Sequence, residues 1–253
     1  VLTIRSYEDA PYLLLATKRG LVKKSELTAY DSPRQAGLIA INFRDEEDEL
    51  IGAATCSASD DVLLISARGQ AIRFAADDQQ LRPMGRATSG VMGMRFRGDD
   101  ELLSMAIIDS EMDTDDRFVF TVTDGGYAKR TAVSEYRVQG RGGLGIKAMK
   151  LSEERGRLVG GLVVSEDDEI IAIKHSGQVI RSAVAEVPAK GRDTMGVKFV
   201  GLSGDDAVSV IALYPEPAAE PESVEASDGE STTVGEKGAP EPDSAAAEEE
   251  TDE

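Results

Sequence analysis

The sequence predicts an all-β protein, a propeller-like ring built from a unit of about 50 residues that recurs four times. Three observations predict this fold: a glycine turn followed by a short strand returns after 49, 57 and 51 residues, an apolar strand precedes each turn, and no segment has a convincing helical pattern. A solenoid is the alternative, although solenoid repeats are usually shorter. The turns begin at the anchor glycines Gly20, Gly69, Gly126 and Gly177.

The first element of each copy is a short apolar strand. Because its side chains are apolar at successive positions, both faces of the strand should be buried, as they are when blades pack against neighbouring blades. These strands are predicted at Tyr12–Ala16, Val62–Ile65, Phe118–Val122 and Ile170–Ile173.

The second element follows the anchor glycine and carries a cation at a fixed place. The fourth residue after the glycine is always Lys or Arg, whereas the second is apolar, and strict alternation puts both on one face. We therefore expect the cation to lie at the rim end of the strand or beside a bulge, and to reach solvent in every blade. These residues are Lys24, Arg73, Arg130 and Arg181.

A second glycine and a final strand complete each copy. The second glycines are Gly37, Gly90, Gly145 and Gly196. An arginine stands three residues before the first of them and four before the others, at Arg34, Arg86, Arg141 and Arg192. An acidic turn then leads into an apolar strand, so each unit has roughly four strands.

These landmarks predict the organisation of the chain. Residues 1–10 are a remnant strand of a preceding blade, and the blade repeats are 11–59, 60–115, 116–168 and 169–214. Residues 215–253 hold 14 acidic residues and one lysine, a net charge of −13 out of −19 for the whole chain. Such a segment buries too little apolar surface to fold, which predicts a disordered acidic tail.

Composition argues against several classes of protein. One cysteine, Cys56, rules out an internal disulfide, and with the single His175 it leaves no zinc site of the usual ligands. The alternating acids from Asp109 to Asp115 do not form a calcium loop, because Thr114 and Phe120 stand where Gly and Glu are needed. No apolar run approaches 18 residues, so we expect a soluble, cytoplasmic protein without metal or catalytic residues of its own.

One glycine-rich segment carries a family resemblance. Gln139, Gly140, Arg141, Gly142, Gly143, Leu144 and Gly145 are similar to the box of the C-terminal domain of bacterial DNA gyrase A, whose pattern is Gln-Arg-Arg-Gly-Gly-Arg/Lys-Gly. The segments 81–86, 90–94 and 125–131 also resemble that family, and the resemblance extends from residue 1 to about 214. Gly140 and Leu144 replace two of the box's cations, and the box normally belongs to the first blade.

The resemblance implies a β-pinwheel, a propeller-like ring whose blades exchange strands and whose basic perimeter wraps double-stranded DNA. The family's ring usually has five or six blades, so the chain would be a fragment without its first blades and without the cleavage domain. The full gyrase is an ATP-hydrolysing DNA topoisomerase that uses ATP and Mg, an A2B2 heterotetramer of the gyrase A and gyrase B proteins. The residues expected to bind DNA are Lys23, Lys24, Arg34, Arg73, Arg86, Lys129, Arg130, Arg141, Arg181 and Arg192.

Two alternatives remain at this point. A protein-binding propeller would carry the same cations incidentally and would not retain DNA. The related C-terminal domain of topoisomerase IV typically lacks a recognisable box, which disfavours it.

Overall fold

The computed structural model describes residues 2–8, 10–32 and 36–214, which form four antiparallel β-sheets, here called blades 1 to 4. The strands are β1 (Tyr12–Thr17), β2 (Leu21–Glu26), β3 (Leu50–Cys56), β4 (Asp61–Ser66), β5 (Gln70–Ala75), β6 (Val91–Met92), β7 (Leu102–Ile108), β8 (Phe118–Thr123), β9 (Tyr127–Ala132), β10 (Ile146–Lys147), β11 (Leu158–Val164), β12 (Glu169–Lys174), β13 (Val179–Ala183), β14 (Val197–Lys198) and β15 (Val208–Leu213). Short 3-10 helices lie at Leu27–Tyr30, Val133–Glu135, Glu153–Arg155 and Val184–Glu186.

The first three blades share one plan, in which neighbouring repeats exchange a strand. Their strand orders are β3-β1-β2-β6, β10-β5-β4-β7 and β11-β8-β9-β14. In each, three strands come from one repeat and a two-residue strand, β6, β10 or β14, comes from the next repeat. The donated strand pairs antiparallel with the strand after the anchor glycine, as Leu21 pairs with Met92. Every one of these blades is thereby tied to its successor.

Blade 4 has three described strands where the other blades have four. Its order is β13-β12-β15, and within residues 36–214 no donated strand pairs with β13. Val179 at the start of β13 is consequently 58% exposed.

The ten or so residues that lead up to the donated strand, together with that strand, lie along the preceding blade, and we call this segment the arm; in repeats 3 and 4 it directly follows a 3-10 helix. Arms 2, 3 and 4 comprise residues 81–92, 136–147 and 187–198. Each arm donates a main-chain amide to the carbonyl of the basic residue four after the anchor glycine. The pairs are Met84 to Lys24, Gln139 to Arg73 and Lys190 to Arg130, at 2.8, 2.7 and 2.9 Å.

The hydrophobic core lies between blades, which accounts for the successive apolar residues. Leu63 and Leu64 are adjacent on β4 and both have no exposed surface. Leu64 packs in a cluster with Leu14 of blade 1, whereas Leu63 packs in another cluster with Val119 of blade 3. The prediction that both strand faces are buried is confirmed here. In β12 of the last blade only alternate residues are buried.

The anchor glycines are needed where the residues just after an arm pack on the turn. Gly126 has φ +78°, and a Cβ there would lie 2.5 Å from the carbonyl oxygen of Val200. Its own carbonyl accepts the amides of Phe199 and Val200 at 2.9 and 3.0 Å. Gly177 keeps the turn, with φ +82°, but a Cβ there would meet no described atom within 4 Å.

The predicted all-β fold is confirmed, as are the four leading strands, which the structure extends to Thr17, Ser66, Thr123 and Lys174. The remnant strand over residues 1–10 is wrong for residues 2–8, which form no strand. A strand needs a partner for its backbone hydrogen bonds, and none of the described strands pairs with this segment. The predicted acidic tail, 215–253, lies outside the described residues.

Candidate nucleic-acid interface

The cation four residues after the anchor glycine is buried in blades 1 and 3 and largely buried in blade 2. Lys24 has no exposed surface, Arg130 is 7% exposed and the Arg73 side chain is 13% exposed. The expectation that these side chains reach solvent through a rim position or a bulge is therefore wrong. The strand after the glycine is regular, and the arm of the next repeat covers the cation.

These buried cations bind the main chain and carboxylates at blade junctions. Arg130 donates from Nε to the carbonyl of Val187 at 2.7 Å and from Nη2 to Glu166 at 2.7 Å. Lys24 likewise donates from Nζ to the carbonyl of Ala76 at 2.6 Å and to Asp78 at 2.9 Å. Because buried charges are tolerated only when paired, the carbonyls of Val187 in arm 4 and of Ala76, shortly before arm 2, are part of what makes these positions stable.

Arg73 follows the same plan at the junction of blades 2 and 3. Its Nε donates to Asp61 at 2.8 Å, and Nη1 lies 3.4 Å from the carbonyls of Val133 and Tyr136. Tyr136 begins arm 3, so this cation also binds the segment that crosses its blade.

The equivalent cation of blade 4, Arg181, is exposed. Its side chain is 51% exposed, pairs with Glu169 and lies 3.7 Å from the ring centre of Tyr214. This is the blade on which the described chain places no arm, so Arg181 alone of the four matches the expected exposure.

The residue before this cation is a second buried lysine in blades 1 and 3. Lys23 and Lys129 have no exposed surface. Lys129 Nζ donates to the carbonyl of Gly191 at 2.8 Å and also to that of Arg192. Lys23 Nζ donates to the carbonyls of Ala40 and Arg86. The pKa of each lysine is lowered to about 8, chiefly by burial, and the cation of Arg86 or Arg192 contributes to this lowering.

The arginines of arms 2 to 4 lie at the surface and repeat one contact. Each donates to a main-chain carbonyl of the preceding repeat, at the residue two positions after that repeat's second glycine. The pairs are Arg86 to Ile39, Arg141 to Met92 and Arg192 to Lys147, at 3.2, 3.0 and 3.2 Å. All three side chains keep part of their surface exposed. Arg34 lies outside the described residues.

The box-like segment, in arm 3, packs on arm 2 and on the residues at its two ends. Arg141 also donates from Nε to the carbonyl of Gln80. The amide of Gly142 donates to the carbonyl of Gly93 at 2.6 Å, and the carbonyl of Gly143 accepts from the amide of Arg95 at 2.9 Å. Leu144 is exposed. Gly142 and Gly145 have φ +75° and +74°, and a Cβ at Gly145 would clash with the carbonyl of Ala71, whereas a Cβ at Gly140 or Gly143 would make only ordinary contacts.

A second series of cations lies beside the arm arginines and escaped prediction. Arg95 and Lys150 are exposed, and each follows a second glycine by five residues. The amide of Lys150 donates to the carbonyl of Thr194 at 3.0 Å, just as Arg95 donates to Gly143. Lys147 and Lys198 follow a second glycine by two residues. This spacing is present in the sequence and could have identified them.

Together these residues form what we call the arm track, the exposed or half-exposed cations of the blade junctions. Its members are Arg82, Arg86, Arg95, Arg137, Arg141, Lys147, Lys150, Lys190, Arg192 and Lys198. Lys147 pairs with Asp193 at 3.0 Å. Lys198 lies 4.8 Å and the neighbouring Arg155 4.2 Å from the ring centre of Tyr127, which makes that tyrosine a packing residue for cations.

The family model described as DNA gyrase C-terminal domain, beta-propeller, matches residues 11–57, 60–109, 117–165 and 168–213. The chain belongs to this family. The four matches fall on the four repeats, and the exchanged strands are those of the β-pinwheel that the resemblance implied.

Relatives and solved structures agree with the family. The chain is 61% identical over 226 residues to DNA gyrase A of Streptomyces coelicolor, covering 88% of this chain and 26% of that protein. It is 52% identical over 230 residues to DNA gyrase A of Mycolicibacterium smegmatis, covering 91% of this chain and 27% of that protein. The chain thus spans about a quarter of the length of these relatives.

Two solved structures share the fold. A DNA gyrase A C-terminal domain matches with a TM-score of 0.72 and 26% identity, over 84% of this chain and 68% of that one. A DNA topoisomerase IV C-terminal domain matches with a TM-score of 0.74 and 21% identity, over 84% of this chain and 64% of that one. Within the described residues, no helix is long and apolar enough to cross a membrane.

Proposed function

We propose that this chain is the part of DNA gyrase A that binds and wraps double-stranded DNA. The observation that carries the proposal is the arm track. At three successive blade junctions the fold places an arm arginine in the same backbone contact. At the second and third of these junctions an exposed cation, Arg95 or Lys150, lies in an equivalent backbone contact beside the arm. A repeated cation at a repeated place suits a ligand whose charge is itself periodic, as the phosphates of a duplex are.

The chemistry of the arm track fits phosphate contact without base reading. Its members are Lys and Arg on turns and two-residue strands, and among the described residues no long helix is available to enter a major groove. Contacts of this kind position a duplex and carry no sequence information. Bending a site of 20–30 base pairs costs on the order of 1–6 kcal/mol, which several phosphate contacts offset.

The proposal also concerns the whole enzyme of which this chain would be one part. With the remainder of gyrase A and with the gyrase B protein in an A2B2 heterotetramer, the wrapped duplex would be presented to the cleavage domain, giving ATP-dependent negative supercoiling in the cytoplasm. ATP and Mg would act in those other parts, and the present residues would contribute only DNA binding. The relatives that carry the name DNA gyrase A support this assignment.

The proposal is tested by reversing two exposed charges of the arm track. Arg95→Glu with Lys150→Glu should weaken binding of a 40-base-pair duplex at least tenfold in fluorescence anisotropy at low salt, since each lost phosphate contact and each new repulsion acts on the same ligand. Arg5→Glu with Arg117→Glu, an equal charge change at two exposed residues outside the strands and arms, is the control and should have a much smaller effect.

Wrapping is tested separately from binding. Nicked circular DNA sealed by ligase in the presence of the chain should show a shifted linking number, and the double variant should reduce the shift. Equal binding by the double variant and the wild type would contradict the proposal that the arm track contacts DNA. If the wild type did not retain DNA at all, a protein-binding propeller would be favoured.

A further inference from the structure

The third residue after the anchor glycine alternates between two chemistries along the chain. It is Lys23 in the first repeat, Ile72 in the second, Lys129 in the third and Ile180 in the fourth. Lys23, Ile72 and Lys129 are all buried under an arm. The two lysines therefore occupy a position that an aliphatic side chain fills equally well in blade 2.

The arms above the lysines share a local structure. In arm 2 the hydroxyl of Thr88 donates to the carbonyl of Gly85 at 2.9 Å, and in arm 4 that of Thr194 donates to Gly191 at 2.8 Å. Arm 3, above Ile72, has Gly143 at the equivalent place. The lysine beneath an arm thus occurs together with a Gly-Arg-x-Thr turn, and the isoleucine with the Gly-Arg-Gly-Gly turn of the box.

Each lysine holds the main chain at the arm arginine itself. Lys129 binds the carbonyls of Gly191 and Arg192, and Lys23 binds that of Arg86. Stripping water from an ammonium group is costly, and an unpaired carbonyl is costly too, so neither group is easily released once the arm is seated. Since Ile72 shows that the core does not require a cation here, the lysines serve something other than core packing.

We propose that Lys23 and Lys129 are positioning residues for DNA binding, each fixing the backbone of the arm arginine, Arg86 or Arg192, above it. The inference rests on the proposed function. The third arm is fixed by other contacts, from Arg141 Nε to the carbonyl of Gln80 and from the amide of Gly142 to the carbonyl of Gly93, which directly follows arm 2. Along the chain, arms 2 and 4 are then held by a buried lysine, and arm 3 between them is held by contacts of the box segment.

The test replaces Lys129 with isoleucine, the residue that repeats 2 and 4 already have. Lys129→Ile should fold, and its duplex affinity should fall roughly fivefold at 0.15 M salt, the worth of about one counterion-releasing phosphate contact. The slope of log K against log salt should decrease by about 0.9. Lys129→Arg, which keeps donors toward the two carbonyls, should recover most of the affinity. Arg5→Gln, which removes one exposed charge outside the arms, is the charge-matched control.

Hydrogen exchange of the free chain provides a readout that needs no DNA. In Lys129→Ile the amide of Lys150, which donates to Thr194, should exchange at least tenfold faster, whereas the amide of Arg95, which donates to arm 3, should be unchanged. Slower or equal exchange with unchanged affinity would overturn the inference. Failure of the wild type to bind DNA would instead overturn the proposed function. If Lys129→Ile did not fold, Lys129 would be a residue needed for stability alone, and Lys23→Ile would then test the inference at the other lysine.

Discussion

Blades 1 to 3 and blade 4 carry the same sequence motif but use its cation differently. In blade 3, Arg130 lies beneath arm 4 and binds the carbonyl of Val187. In blade 4, Arg181 stands at the equivalent place, pairs with Glu169 and is half exposed, because the described chain places no arm above it. The motif alone does not determine whether its cation is exposed; the neighbouring repeat does.

The comparison also shows that the repeated cations, which look alike in the sequence, have two different roles. Four of the cations after the anchor glycines bind arm carbonyls, namely Lys23, Arg73, Lys129 and Arg130, and the cations on the arms face solvent. A basic perimeter is therefore made by the exchanged segments, and the basic strand residues beneath serve to seat those segments.

The anchor glycines offer the largest contrast. Gly126→Ala should destabilise the chain by about 3–5 kcal/mol, since it combines a left-handed backbone with a clash on the Val200 carbonyl. Gly177→Ala has the same backbone and no described neighbour within 4 Å, so it should cost only about 1–2 kcal/mol. Urea unfolding of both variants measures the difference; equal losses would mean that the arm does not constrain the turn.

The buried cation gives the next contrast. Arg130→Met should lower the free energy of unfolding by about 2–3 kcal/mol, because the Val187 carbonyl loses a charged donor while remaining buried. Arg181→Met should leave the midpoint of urea unfolding nearly unchanged, since exposed ion pairs contribute little. A loss at Arg181 as large as that at Arg130 would show that something covers blade 4 in solution.

A smaller effect is expected from pH. The folded pKa of Lys129 is about 8, below its ordinary value of 10.5, so between these values the unfolded chain binds more protons at this residue. The contribution of Lys129 to stability should therefore rise with pH across this range. Unfolding of the wild type and Lys129→Ile at pH 7.5 and 9.5 measures it, and a difference that is constant or falls with pH would contradict the burial of a charged ammonium group.

The sequence is sufficient to predict the fold and insufficient to predict the arms. Runs such as 62–65 predict strands buried on both faces, and the anchor glycines set the period. The donated strands have only two residues, which is too short for any alternating pattern, and Met92 pairs with Leu21 about 70 residues away. The exchange was therefore available only through the family resemblance.

The positions of the cations could not be predicted for a related reason. A lysine or arginine is almost never fully buried unless it is paired, so the sequence places Lys24 and Lys129 at the surface. Their partners are main-chain carbonyls of another repeat, and no side chain in the sequence indicates them. Arg95 and Lys150, by contrast, recur at a fixed distance from a second glycine and were predictable by the same reasoning that found the anchors.

The salt dependence of duplex binding tests most directly which cations meet DNA. Arg95→Gln, on the arm track, should reduce the slope of log K against log salt by about 0.9. Arg73→Gln removes an equal charge that lies beneath arm 3. Unlike Lys129, Arg73 binds the carbonyls of Val133 and Tyr136 and not that of the arm arginine, so its loss should leave the slope unchanged, at conditions where urea unfolding shows the variant to be native. A reduced slope for Arg73→Gln and an unchanged slope for Arg95→Gln would contradict the account and return DNA binding to the strand cations.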